Sequence, residues 1–320
     1  MRHLIILLSA ALLFASCKVE EKPNQKLKLA FVANGPADFW LYAQAGVQDA
    51  AKELDIDVQF KVGDQTTAKQ KQIIDDLIVS GVSGVAVSPA NPKNQVQMIK
   101  EWSEYIPVIC ADSDAPGSAR LSYLGTDNVA AGRECGELLK KALPNGGKVM
   151  AFVGLRDAQT AIDRYKGLKQ AVEGTKIEII DLRTDNGDRV KARRNAEDAL
   201  IAHPDLAAMV GLWAYNAPAI LGALESSNRA DQVKIIAFDE DPVTLNAIDE
   251  GKIYGTICQN PYAFGYESIK LLHKLSKGAS ATEAGIPANQ QIIIPTKTLI
   301  KGQGLEYKKY CDELKASLKH

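Results

Sequence analysis

The chain has 320 residues, with 46% hydrophobic and 24% charged side chains and a formal net charge of -1. That length suits two domains, and that composition lets each bury an ordinary core. No basic patch stands out, which excludes a nucleic-acid-binding surface of the usual kind.

The N-terminus differs from the rest of the chain. Arg2 and His3 precede an apolar run, Leu4 to Phe14, then Ala15, Ser16 and Cys17. The run is too short to span a bilayer and fits the core of a signal peptide. A small residue before a cysteine resembles the lipobox of bacterial lipoproteins, in which Cys17 becomes the lipidated N-terminus. The alternative is a plain secretory signal cut near the same place. Residues 18–26 (KVEEKPNQK) are polar and read as a tether.

From Leu27 onward, short apolar runs alternate with amphipathic stretches. Strands are expected at 27–33, 57–62, 84–88, 107–111, 148–153, 176–182, 207–212, 233–238 and 254–258. Helices are expected near 40–54, 67–80, 93–104, 128–142, 160–173, 189–202, 216–227, 242–250 and 262–277. In 67–80, Ile73, Ile74, Leu77 and Ile78 fall on one helix face. Asp127 or Asn128 can cap the helix that follows them, near 128–142. Such alternation predicts an α/β fold with parallel sheets covered by helices on both faces. The turn-rich stretch 112–127 reads as a first crossover between two lobes, with others at 258–262 and 285–295.

Catalytic signals are sparse. Of four histidines, His3 lies in the leader, His320 is the last residue, and His203 and His273 sit at helix ends. No metal cluster, nucleophile elbow, phosphate loop or dinucleotide fingerprint is found. Gly146-Gly147 reads as a turn. Cys110, Cys135, Cys258 and Cys311 form no CxxC pair, and they read as free buried thiols. The expectation is therefore no enzyme, no cofactor and no metal.

In open α/β sheets, ligands sit outside the carboxyl ends of the strands. Here those ends carry Asn34 with Phe39 and Trp40, Asp112 with Asp114, Trp213 with Tyr215 and Asn216, Asp239 with Asp241, and Gln259; Arg164 lies early in the helix after 148–153. Planar carboxylates, amides and a guanidinium hold neighbouring hydroxyls bidentately, and aromatic faces pack on apolar C–H faces. The mixture suits a sugar. Taken singly, Asp112 and Asp239 could be helix caps, Phe39 and Trp40 core residues, Arg164 a surface ion-pair residue, and Asn216 and Gln259 turn formers.

Seven segments carry a resemblance: LAFVANGPADFW (29–40), PVICADSDAP (107–116), YLGTDNVAAGR (123–133), DRYKGLKQAV (163–172), AHPDLAAMVGLWAYNAPAILGAL (202–224), IIAFDEDP (235–242) and GTICQNPYAFGYES (255–268). Together they resemble the type I periplasmic sugar-binding proteins, the ribose-binding-protein family, over about residues 27–300. The resemblance implies two doubly wound parallel-sheet lobes joined by a three-stranded hinge. It places residues 27–126 plus 260–290 in one lobe, and 127–259 plus 291–320 in the other with a tail. It implies that Phe39 and Trp40 sandwich a sugar ring, that Asp112 holds two hydroxyls, and that Arg164, Asn216, Asp239 and Gln259 bind the ligand. Asn34 falls near a polar contact of the first strand.

The departures bear on the ligand. Ser113 stands where ribose binders carry a second arginine, Asp114 adds a carboxylate, and Trp213 and Tyr215 make the far wall more aromatic. The resemblance then points to an aldopyranose such as xylose or glucose, with a polyol or cyclitol such as inositol as the alternative. The implied partners are a monosaccharide, the permease of an ABC importer and, through Cys17, a membrane; the implied state is a monomer at the periplasm or cell surface. A sugar-sensing partner of a membrane kinase or chemoreceptor would have the same binding lobes. A LacI-type repressor is disfavoured, because the leader and tether occupy the place of its helix-turn-helix.

Overall fold

The computed structural model describes residues 26–318; the leader, Cys17 and the tether apart from Lys26 lie outside the described residues. The chain begins with β1 (Lys28–Ala33), α1 (Phe39–Leu54), β2 (Asp57–Val62), α2 (Thr67–Val79), β3 (Val85–Val87), α3 (Pro92–Ser103), β4 (Val108–Ala111) and β5 (Tyr123–Gly125). It continues with α4 (Asn128–Ala142), β6 (Gly147–Val153), α5 (Gln159–Val172), β7 (Ile177–Thr184), α6 (Arg189–Ala202), β8 (Leu206–Gly211), α7 (Asn216–Ser226), β9 (Lys234–Phe238), α8 (Pro242–Asp249) and β10 (Gly255–Cys258). It ends with α9 (Pro261–Ser276), α10 (Ala281–Ala284), β11 (Gln291–Ile293), β12 (Lys297–Ile300) and α11 (Gly304–Ser317).

Two sheets of the same design result. The first has the order β11-β5-β4-β3-β1-β2, the second β12-β10-β9-β8-β6-β7. Every pairing is parallel except that of β12 with β10. The chain passes between them between β5 and α4, between β10 and α9, and between β11 and β12. Each sheet reverses its strand order beside its first strand, which is where open α/β sheets hold ligands.

The buried strands read as continuous apolar runs because both faces of each sheet are covered. In β1, Leu29, Phe31 and Ala33 pack with α1 and α9. Ala30 and Val32 point the other way, among Ile74 and Leu77 of α2 and Ile99 and Trp102 of α3. β6 repeats this, with Val149, Ala151 and Val153 on one side and Met150 and Phe152 on the other. Each large aliphatic or aromatic side chain so buried contributes about 1.5–3 kcal/mol.

Two helix pairs, equivalent in the two lobes, approach through glycine. A Cβ on Gly46 of α1 would lie 2.0 Å from the Tyr262 carbonyl oxygen of α9, and one on Gly265 would lie 2.0 Å from that of Ala43. In the second lobe a Cβ on Gly167 of α5 would lie 2.0 Å from the Val129 oxygen of α4, and one on Gly132 would lie 2.1 Å from that of Arg164. The glycines let backbones touch where any side chain would part them.

Some elements depart from expectation. The turn-rich stretch 112–127 contains β5, which belongs to the first sheet, so the crossing itself is confined to the residues after Gly125. β11 pairs with β5, which carries the first lobe past residue 290. The tail is a helix, α11. It forms with little apolar burial, since only Gly304 and Cys311 are buried, and it carries i,i+4 ion pairs such as Lys308–Asp312 at 2.9 Å. Cys110, Cys135, Cys258 and Cys311 are buried and unpaired. Among the described residues no helix is long and apolar enough to cross a membrane.

Candidate ligand-binding cleft

Asp112 and Asp239 occupy equivalent positions, each directly after a central strand. Both adopt left-handed backbone, with φ of 63° and 66°. This region is uncommon for residues with a side chain, though Asp tolerates it better than most. It persists where surroundings over-determine it, often at functional sites. The surroundings here are explicit. The Asp112 N–H donates to the Leu124 carbonyl at 3.0 Å, and the Asp239 N–H to the Ile257 carbonyl at 2.9 Å. The Asp112 carbonyl lies 3.0 Å from the Tyr123 hydroxyl, and the Asp239 carbonyl accepts from Thr256 Oγ1 at 2.8 Å. Both carboxylates are thereby turned out of their sheets at the strand ends.

In the first lobe a polar chain leads to Asp112. Trp40 Nε1 donates to Asn34 Oδ1 at 3.1 Å, Asn34 Nδ2 to Ser88 Oγ at 3.4 Å, and Ser88 Oγ to Asp112 Oδ2 at 3.1 Å. Burial pushes the Asp112 carboxyl up to about 6; the Ser88 bond and the field of Arg164 oppose this, and Asp239 adds to it. Arg164 and Asp239 belong to the second lobe. A hydrogen-bonded chain joins the two sets of strand ends: the Tyr123 hydroxyl lies 3.0 Å from the carbonyls of both Asp112 and Thr126, Thr126 Oγ1 donates to Gln259, and Gln259 donates to Asp239.

In the second lobe Arg164 is fixed on several sides. Its Nε donates to Asn128 Oδ1 at 2.9 Å and its NH1 to the Leu212 carbonyl at 2.8 Å. NH1 also lies 3.7 Å from Asp239 Oδ2, and the guanidinium sits 4.5 Å from the Phe238 ring centroid. Gln259 Nε2 donates to Asp239 Oδ1 at 2.9 Å, while its Oε1 accepts from Thr126 Oγ1 at 2.9 Å. Gln259 thus links the first and second crossings to the acid of the second lobe.

The third cluster surrounds Asn216, which is fully buried. Its Oδ1 accepts from the Trp213 N–H at 3.0 Å, and its Nδ2 donates to Asp185 Oδ2 at 3.1 Å. Asp185 also accepts from the Tyr215 hydroxyl and the Gly187 N–H. Trp213 and Tyr215 lie edge to face at 6.4 Å and are half-buried. A Cβ on Gly154, at the end of β6, would lie 2.1 Å from the Trp213 ring, so glycine makes room for it.

Of the residues expected from the sequence, Asn34, Asp112, Arg164, Asn216, Asp239 and Gln259 enter the networks at the facing strand ends. Phe39 is half-buried at the start of α1. Trp40 is 4% exposed and packs among core residues, 6.0 Å from Phe31 and 5.0 Å from Phe39. It buttresses Phe39 and presents no free face. Asp114 is engaged through both oxygens by Arg120, whose NH2 lies 2.8 Å from Oδ2. Arg120 also donates to the Gln290 carbonyl at 3.2 Å, so this pair ties the loop after β4 to the one before β11. Among the described residues no group of acidic, histidine and cysteine side chains has the arrangement of a metal site.

Ser88, Thr126 and Asp185 were missed by sequence reasoning. Ser88 closes the expected strand 84–88, and Asp185 comes directly after β7. Both would have emerged had every strand end been scanned for polar side chains.

Two lobes of one design, linked by three crossings and facing each other with fixed hydrogen-bonding groups, define a bilobal receptor for a small polar ligand. Residues 29–280 match the family model described as periplasmic binding protein domain, and the chain belongs to that family. The ribose import binding protein RbsB of Escherichia coli (strain K12) is 27% identical over 298 residues, which cover 92% of this chain and 99% of that protein. The D-allose-binding periplasmic protein of the same organism is 24% identical over 73% of this chain and 79% of its own. Among solved structures, a sugar-binding protein of a sugar ABC transporter from Bacillus halodurans superposes with a TM-score of 0.81 at 26% identity, over 88% of this chain and 100% of the other. A solute-binding protein from Burkholderia graminis C4D1M in complex with D-arabinose gives 0.81 at 27% identity, over 88% and 98%.

Proposed function

We propose that this chain is the extracytoplasmic binding protein of an ABC importer and holds one monosaccharide, in pyranose form, between its lobes. The observation that carries this is the meeting of Asp112 from one lobe with Arg164, Asp239 and Gln259 from the other, all held by hydrogen bonds within the protein. Fixed groups lose little entropy on binding, and each charge-assisted hydrogen bond to a hydroxyl contributes about 1.5–3 kcal/mol once water is excluded. A missing or inverted hydroxyl leaves a buried group unpaired, which is the source of selectivity. Phe39 and Trp213 are the walls for the apolar faces of the ring; Trp40 supports the first and Asn216 the second. Asp114 is held by Arg120 and takes no part.

The protein binds its ligand and releases it unchanged; it is no enzyme and needs no cofactor. Leu155, Ile162, Val190 and Val243 are exposed aliphatic side chains in the segments after β6, β7 and β9. They lie on the same rim as the cleft and suit docking to a permease. Cys17 carries the lipid that holds the monomer at a membrane.

A thermal-shift panel on protein starting at Val19 tests the reading with D-xylose, D-glucose, D-ribose, D-allose and myo-inositol. At a hundredfold excess over Kd, the right ligand stabilises by about 2.7 kcal/mol. Arg164→Ala removes the shift and leaves a cooperative melt. Silence across the whole panel with a well-folded protein would overturn the proposal.

A further inference from the structure

We propose that the C-terminal helix α11 is a clasp between the lobes, and that Lys315 and Glu240 are positioning residues that hold the two shoulders of the cleft in register.

The N-terminal end of α11 is fixed to the second lobe. Asp249, the last residue of α8, accepts from the N–H groups of Gly302, Gly304 and Leu305 at 2.6, 3.2 and 2.7 Å. Gly304 and Leu305 are donors that a helix start leaves without intrahelical partners, and Gly302 lies just before it. Tyr307 packs against Leu245, Cys258 and Leu299 of the same lobe. Gly304 lets the helix close on α8, since a Cβ there would lie 2.2 Å from the Leu245 carbonyl oxygen.

Its far end reaches the first lobe. Lys315 pairs with Asp38 at 3.0 Å and lies 5.2 Å from the Tyr42 ring centroid. Asp38 directly precedes Phe39, and Tyr42 lies one turn further along α1. Thus a helix rooted on one lobe grips the other beside the aromatic wall of the cleft.

Glu240 lies where these elements meet. It comes directly after Asp239 and is 5% exposed, and its Oε2 has no hydrogen-bond partner. The charged and titratable groups whose fields reach it are Asp239 beside it, Arg164 of α5, Tyr42 of α1, Cys258 of β10, and Lys315, Cys311, Tyr307 and Tyr310 of α11. Burial and the neighbouring Asp239 hold its carboxyl well above the usual range. A neutral acid tolerates this buried seat, whereas a charged one would need partners that its Oε2 lacks.

The test reads lobe separation in ligand-free protein. Spin labels are placed at Val79→Cys in the first lobe and Ile201→Cys in the second, both on highly exposed positions, and pulsed distance measurements are made. The clasp predicts one narrow distance distribution for the parent. Lys315→Ala, Glu240→Ala and a chain ending at Gly302 give broader distributions with a longer tail, while Lys315→Arg and Glu240→Gln restore the parent. Should the shortened chain fail to fold, the point variants decide alone. Identical distributions in all folded variants would overturn the clasp. The consequence for binding rests on the sugar reading: Lys315→Ala raises the Kd for D-xylose about two- to five-fold, the range of one partly exposed ion pair. Altered distances in a protein that binds no sugar would sink the sugar reading and leave the clasp standing.

Discussion

Asp112 concentrates the chemistry of the cleft in one side chain. Burial raises its carboxyl to about 6, against the Ser88 bond and the field of Arg164. A carboxyl whose folded value lies above its unfolded one contributes stability at low pH and loses it as pH rises through the folded value. The ligand-free parent should therefore lose stability relative to Asp112→Asn as pH climbs from about 4 to about 6, with a constant difference above that. Paired urea unfolding curves across this range check the sign; a difference that grows in the parent's favour would refute it. Ligand hydroxyls act oppositely, since they donate to the ionised form and lower its pKa. Affinity for the bound sugar should then strengthen as pH rises through about 6, and titration calorimetry on Asp112→Asn should show a flatter profile.

At this scale the polar residues that meet at the candidate cleft were legible, because ligands of open α/β sheets sit at strand ends and Asp, Asn, Gln and Arg there are conspicuous. What sequence could not tell was which of two neighbouring residues faces the cleft. Phe39 and Trp40 are adjacent on α1 and both aromatic, yet burial takes Trp40 into the core. Asp112 and Asp114 share a loop, yet Arg120, six residues past Asp114, claims only the second. Glu240 adjoins Asp239 and is buried, which nothing in its polar, strand-end context announces.

Among the elements, the glycine-paired helices are the most constrained. Gly167 lies three residues after Arg164, on a helix whose backbone comes against that of α4 at this position. Gly167→Ala would force α4 and α5 apart and should cost about 1–3 kcal/mol. It should also weaken ligand binding, since Arg164 and its partner Asn128 sit on the two displaced helices. Gly222 of α7 is the control. A Cβ there meets only the tip of the Arg193 side chain, at 3.3 Å from NH1. Gly222→Ala should be neutral or stabilising by up to about 1 kcal/mol, because alanine suits a helix interior better. Equal effects from the two substitutions, in denaturant unfolding and in Kd, would refute the distinction. The elements themselves were readable where burial imposes a pattern. Three-residue β5 and β11 gave no periodicity to read, and α11 is held by ion pairs, an N-terminal carboxylate and few buried side chains, so its polar sequence resembled a tail.

For the whole molecule, the similarity of the lobes determines how binding can work. In the function proposed, neither lobe alone surrounds a ligand: the first would supply Asp112, Asn34 and Phe39, the second Arg164, Asn216, Asp239, Gln259 and Trp213. A sugar docked on one lobe gains only part of its hydrogen bonds in a site still open to water. The remainder appears when the lobes meet, so ligand and closure favour each other by the same free energy. Small-angle scattering should show the parent contracting as the bound sugar of the thermal-shift panel is added to saturation. Arg164→Ala deletes the best-fixed cation of the second lobe and leaves Asp239 with Gln259 but without a counter-charge. It should keep the first lobe's weak contacts and fail to contract even at high sugar concentration. A variant that contracts as fully as the parent would show that closure is driven by something other than the ligand bridging Asp112 to the second lobe.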